Sequence, residues 1–368
     1  MSKQKSKFEL AREEAEASIS KTNEKIADLG EHTNKLYEEL TAIQKKFDAI
    51  RKIPSGKHLE YEELKKIRLN WKQKIEKIES DYRDAKVKHA GAGTAGVGAG
   101  AAVAALGPTA AMGVATTFGV ASTGTAISTL SGAAATNAAL AWIGGGALAA
   151  GGGGMAAGNA FLALAGPVGW AIAGVAFIGS GFLFWKNKRD KDRLEDIFTQ
   201  IGKRDVKSHD LAIRELNERI RRIDDATLKL NEVIEKISTF GLDYEKMAEV
   251  QQYELGAYVN LMHASTQLLV NPIMGLRPKY NEEDFKKYKI AKSKCGLGEK
   301  KRELIIYLAN LLCEIEIKDT DKKPLWKYFK NDEKFLTAMK LSKKDFFDII
   351  EMVEDALKYK DWLEMVSV

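Results

Sequence analysis

Five histidines, His32, His58, His89, His209 and His263, and two cysteines, Cys295 and Cys313, are the residues of the 368-residue chain best suited to metal or thiol chemistry. Zinc would need His or Cys at short helical spacings, and no HExxH, CxxC or Cys/His cluster is present. His263, within NLMHASTQLL, reads as a satisfied or half-exposed helical histidine. The cysteines read as two reduced, buried thiols. The stretch GLGEKK from Gly296 to Lys301 superficially resembles a phosphate cradle. It lacks GxxxxGK[ST] and any preceding strand pattern. Paired carboxylates could do acid–base work in a cleft, yet Glu13/Glu14, Glu38/Glu39 and Glu62/Glu63 fall on solvated helix faces. The expectation is a chain with no catalytic, cofactor-binding or metal-ligating site, and so no enzyme.

What is unusual is where the charge lies. From Ala90 to Trp185 there are 96 consecutive residues without Asp, Glu, Lys or Arg. All 57 basic and 51 acidic side chains sit in the flanks, which are therefore dense in charge, whereas 23 of the 31 glycines fall inside the uncharged block. The flanks are only mildly basic, 21 basic against 17 acidic residues before the block and 36 against 34 after it. No basic stripe of the kind that binds nucleic acid is present. MSKQKSKFELAREEAEA at the start has no apolar core of a cleavable signal. The expected location is the cytoplasmic side of an inner or organelle membrane, with a latent soluble form allowed.

The flanks carry the elements that would position such a block. Leu36, Leu40, Ile43, Phe47 and Ile50 step by four and three residues. This is a coiled-coil-like seam within a helix expected over residues 7–52, with Gly30 a weak point. Pro54-Ser55-Gly56 breaks it. A second helix carries Leu64, Ile67, Trp71, Ile75, Ile78 and Tyr82, folding back as a hairpin or running on with a kink. After the block, Leu194 through Ile237 repeats the pattern to a stop at Gly241, with a break allowed at Gly202. The simplest burial of both seams is a long antiparallel bundle of the two arms. Beyond it, Tyr244–Val270, Lys300–Ile317 and Lys343–Val366 read as helices and Asp319–Pro324 as a loop. The expected organisation is all-α: an N-terminal arm over 1–89, a Gly/Ala-rich membrane-inserting segment over 90–185, a return arm over 186–241 and a small helical domain over 242–368.

Within the block, Phe161–Trp185 and Gly96–Val120 are the two clearest candidate spans, since about 20 apolar helical residues cross a bilayer. Gly96/Gly100 and Gly154/Gly158 form GxxxG pairs, the spacing at which membrane helices approach closely. Trp170 and Trp185 fit interfacial anchoring. Lys86 and Lys88 on one flank, with Lys186, Lys188, Arg189, Lys191 and Arg193 on the other, place both arms on one side. The number of crossings is then even, two or four.

The stretch STGTAISTLSGAAAT from Ser122, running into GGGALAAGGGGMAAG ending at Gly158, resembles the glycine-rich segment of the small interferon-inducible membrane proteins. The plan of long helices around an apolar hairpin resembles helical pore-forming proteins of the cytolysin-A and apolipoprotein-L kind, over residues 7–240. These resemblances imply a membrane protein whose hairpin inserts, oligomerises and permeabilises or depolarises a membrane, as a toxin or defence effector does. The competing expectation is a membrane-anchored coiled-coil scaffold or sensor. Expected partners are the lipid bilayer, further copies of the chain, and a protein bound by the C-terminal domain.

Overall fold

The computed structural model describes residues 6–54, 60–70, positions 72, 73, 76, 77 and 80, and residues 187–270, 273, 279–292, 301–330 and 342–366. These are all-helical; no strand occurs among them, and a single isolated bridge pairs Arg51 with Asp243. The segment 90–185, with Gly96, Gly100, Gly154, Gly158, Trp170 and Trp185, lies outside the described residues, as do Lys86, Lys88 and Lys186.

Helix α1, Lys7–Ala49, opens with a capping box. Ser6 accepts from the Glu9 amide while Glu9 accepts from the Ser6 amide. Its expected seam is buried throughout: Leu36, Leu40 and Ile43 are 0% exposed, followed by Phe47 and Ile50. The seam also continues backward through Thr33, Leu29, Ile26, Thr22, Ser18, Ala15 and Ala11, all buried. It keeps spacings of three and four, with two successive fours at Ser18–Thr22–Ile26.

Helix α2, residues 60–70, folds back on α1. Tyr61 stacks on Phe47 with ring centroids 5.5 Å apart, and its hydroxyl donates to the Gln44 carbonyl at 2.9 Å. Further along α2, Arg68 donates to the Leu40 carbonyl and to Gln44. Rising numbers on α2 meet falling numbers on α1, which settles the hairpin alternative over the kinked one.

Helix α3, Lys188–Ile237, runs 50 residues. At 1.5 Å per residue it is about 75 Å long. It continues unbroken through Gly202, where a Cβ would stand 3.4 Å from the Ala11 carbonyl oxygen. The pairs Ala11 with Gly202, Thr22 with His209, His32 with Asp224 and Arg51 with Asp243 all rise together. The two arms therefore pack parallel, which corrects the antiparallel bundle expected from their matching seams. The physical reason is the reversal beyond Pro54: α2 turns the chain back along α1, and α3, whose Gly202 lies beside Ala11, enters from the end where α1 begins. Beyond Gly241, at φ 84°, and a 3-10 turn at Tyr244–Lys246, the chain reverses. Helix α4 (Glu249–Val270) returns antiparallel, with Lys236 on Glu254 at 2.5 Å and Arg219 on the Leu268 carbonyl at 3.2 Å.

A second core surrounds the first turns of α3. Leu194, Ile197, Phe198 and Ile201, with Phe8 of α1, pack against α5 (Glu282–Ala291), α6 (Arg302–Leu312), α7 (Asp319–Lys330) and α8 (Lys343–Val366). The loop expected over Asp319–Pro324 is instead the start of α7. Asp321 accepts from the Lys318 amide at 2.9 Å and so closes the helix start. Pro324 has the φ a helix needs and gives up one hydrogen bond. Burial of Leu325, Tyr328 and Phe329 outweighs that loss. Helix α6 is shorter than the expected 300–317, ending before Glu314 at φ 62°, and α5 was not foreseen.

Candidate functional site

The place where the uncharged segment rejoins the described structure is the first turn of α3. Asn187 caps it, accepting from the Arg189 and Asp190 amides at 3.1 and 3.5 Å. Lys188 and Arg189 follow, both exposed, and neither forms an ion pair with another described residue. Positive charge at a helix N-terminus opposes the helix dipole, so helix stability does not account for them. Of the other charges expected to face a membrane, the two that are described, Lys191 and Arg193, pair within the fold. Lys191 pairs with Glu195 at 3.5 Å, and Arg193 is part of a clasp to α7.

The clasp of α3 to the C-terminal unit has three points, two on α7 and one on α6. Lys327 reaches Asp190 at 2.9 Å. Arg193 grips Asp321 with two bonds, Nε at 2.9 Å and Nη2 at 2.8 Å, and Asp321 is 1% exposed. Burial alone would raise the Asp321 carboxyl. Bonds from Arg193 and from the Lys318 amide outweigh it and hold the group below the ordinary carboxylate value. Three turns further, Arg204 donates to the Leu311 carbonyl at 3.0 Å and the Cys313 carbonyl at 2.6 Å. This places a cation at the C-terminal end of α6, where the dipole favours it. The helix leaving the uncharged segment is thereby fixed to the C-terminal unit over its first turns.

Between α1 and α3, at the same end, the interior turns polar. Thr22 gives its hydroxyl proton to the Ser18 carbonyl at 2.9 Å and lies 3.0 Å from His209 Nδ1. With that proton committed to Ser18, Thr22 accepts from the His209 ring, which places a proton on Nδ1. Desolvation by burial pushes the His209 pKa down, against Asp205 and Asp210, which favour the charged form. Arg204 donates twice to Asp205 Oδ1, at 2.9 and 2.7 Å, while Asp205 Oδ2, Ser18 Oγ and Thr33 Oγ1 have no partner among the described residues. On α2, buried Arg68 satisfies backbone and amide oxygens, and its Nε is without a partner among the described residues.

Sequence reasoning missed this layer because it looked for apolar seams. Continuing the three–four spacing backward from Leu36 would have found Thr33, Thr22 and Ser18. No signal in the sequence pairs Arg193 with Asp321. Of the chemistry-bearing residues, His263 is exposed and 3.4 Å from Gln267, and His32 bonds Asp224. Cys313 is half-buried with its thiol pKa pushed up by desolvation. Glu13 and Glu14 are exposed. Cys295, His58, His89 and Gly296 lie outside the described residues. Among the described residues there is no group of three or more His, Cys, Asp or Glu able to hold a metal, and no helix long and apolar enough to cross a membrane.

Comparison of the chain with protein-family models, with curated proteins and with solved structures gave no match in any of the three.

Proposed function

We propose that the chain is a membrane-active helical effector, of the toxin or defence kind, whose uncharged Gly/Ala-rich segment inserts as a hairpin and oligomerises to permeabilise or depolarise a membrane. The observation that carries this reading is the 96-residue uncharged block and its attachment. On the N-terminal side α2 turns the chain back along α1, and on the C-terminal side α3 runs parallel to α1. A chain that reverses before the block and resumes parallel to its first helix after it suits an excursion with an even number of crossings. An anchor needs about 20 apolar residues. A block several times longer and dense in small residues suits helices that must pack against one another.

The test is fractionation of cells expressing the full chain, followed by dye release from liposomes. The reading expects an integral, carbonate-resistant pool, release of dye and toxicity on overexpression. A chain that stays monomeric without detergent, never pellets with membranes and leaves liposomes intact would overturn it. A membrane-anchored scaffold is the second reading. It is favoured by the end of α8, where Trp362, Met365 and Val366 are 50%, 72% and 66% exposed. An exposed apolar cluster of this kind suits a protein partner. That reading expects the carbonate-resistant pool without dye release or toxicity.

A further inference from the structure

Three helix ends of the C-terminal unit and α3 meet at the mouth of the uncharged segment. Asp190 with Lys327 and Arg193 with Asp321 show α7 running antiparallel to α3, so the last turn of α7 lies beside the first turn of α3. Lys322 with Glu351, at 2.8 Å, and Phe329 with Phe346, ring centroids 5.7 Å apart, show α8 antiparallel to α7 in turn. The first turn of α8 therefore lies at that same end. Each of these turns carries exposed cations: Lys188 and Arg189 on α3, Lys330 on α7, Lys343 and Lys344 on α8. Four of the five stand at helix N-termini, where they oppose the dipole.

The carboxylates nearby are largely committed. Asp190 holds Lys327, and Asp345 accepts from Ser342 at 2.7 Å in the α8 cap. Among the described residues, Asp192, exposed on α3, is the carboxylate left facing solvent on these first turns; Asp332 and Glu333, between α7 and α8, lie outside the described residues. Among the described residues these cations form no ion pair, and four of them stand against two helix dipoles, an arrangement that helix stability does not favour. Their common feature is position, around the point where 96 uncharged residues leave the folded part.

We infer that this end face is a docking surface for an anionic lipid bilayer, holding the mouth of the uncharged segment against the headgroups. The inference deepens the membrane reading above and rests on it. Lipid is favoured over another polyanion because an apolar segment and a cationic rim at one place match the two layers of one leaflet, hydrocarbon and charged headgroup.

The test is cosedimentation of the full-length chain with vesicles of phosphatidylcholine alone and of phosphatidylcholine mixed with phosphatidylglycerol. Each cation near an anionic surface is worth about fivefold in partitioning, so Lys330→Gln, Lys343→Gln and Lys344→Gln together should weaken binding to the mixed vesicles about a hundredfold. The same change in net charge made elsewhere, as Lys207→Gln, Lys229→Gln and Lys246→Gln, should leave it within a few-fold. Equal losses in the two triple variants would overturn the docking face, as would equal wild-type binding to both vesicle types or equally tight capture by duplex DNA. If the first variant misfolds by circular dichroism, the wild type decides: binding to mixed vesicles that does not weaken with added salt overturns the inference. Failure to bind either vesicle removes the membrane reading itself, and this inference with it.

Discussion

At His209 the protein keeps an imidazole neutral where charge would be most costly. Its Nδ1 proton goes to Thr22, whose own proton is already given to Ser18, so the chain of bonds runs in one direction only. Protonation would add a charge between α1 and α3 in a site 5% exposed. The folded pKa is lowered below the ordinary 6.5, so the stabilisation is fully present above that pH and is lost as pH falls. Denaturant unfolding should therefore show stability flat just above that pH and declining below it. His209→Gln should remove much of the decline between about pH 6.5 and 5. An unchanged slope would show that other groups carry it. The Arg193–Asp321 pair behaves oppositely in origin, through attraction rather than exclusion. Asp321→Ala should cost about 2 kcal/mol by removing charged hydrogen bonds from a buried acceptor, read as a lower denaturation midpoint with unchanged slope.

Among the elements, α1 and α3 show which part of a seam can be read in advance. Leu36 through Ile50 was legible because apolar side chains at spacings of three and four have one explanation. Ser18, Thr22 and Thr33 were not, since polar residues at the same spacing look like solvated surface until a partner helix is placed over them. Direction was illegible for a different reason: matching stripes pack equally well parallel or antiparallel, and only the reversal through α2, held by Tyr61 and Arg68, decides it. Pro324 misled because a proline early in a helix costs one bond, not the helix, when Leu325 and Phe329 gain a core. Leu40→Ala in the apolar half should cost about 2–5 kcal/mol, read from the denaturation midpoint. Gly202→Ala is expected to be neutral or to stabilise by up to about 1 kcal/mol through helix propensity, because its Cβ would make ordinary contact at 3.4 Å with Ala11. Gly202→Leu should destabilise, since further atoms would meet the α1 backbone. Thermal melts of the two variants both shifted downward by similar amounts would contradict this.

For the molecule as a whole, the membrane reading predicts that removing residues 90–185 leaves a helical, detergent-independent product, checked by circular dichroism and ultracentrifugation. Tags at Met1 and Val368 should both be reached by protease from one face of the membrane, because carrying a charged side chain through the bilayer centre costs about 2.5–3.5 kcal/mol each. Tags on opposite faces would end the even-crossing topology. The parallel arrangement of α1 and α3 also has a mechanical meaning. A load transmitted through α3 from the uncharged segment arrives at the first turn of α3, the end at which α1 also begins. Helices pulled apart from a shared end peel, breaking contacts one layer at a time, whereas helices pulled from opposite ends shear and resist with every layer at once. The first layers to bear that load are the Arg193–Asp321 grip and the polar contacts of Thr22 with His209; the apolar layers of Leu36, Leu40 and Ile43 come last. On the membrane reading, tension from a bilayer would thus open the α1–α3 packing progressively from the first turns of α3, and the force needed would be set by a few polar contacts near that foot rather than by the whole length of the seam.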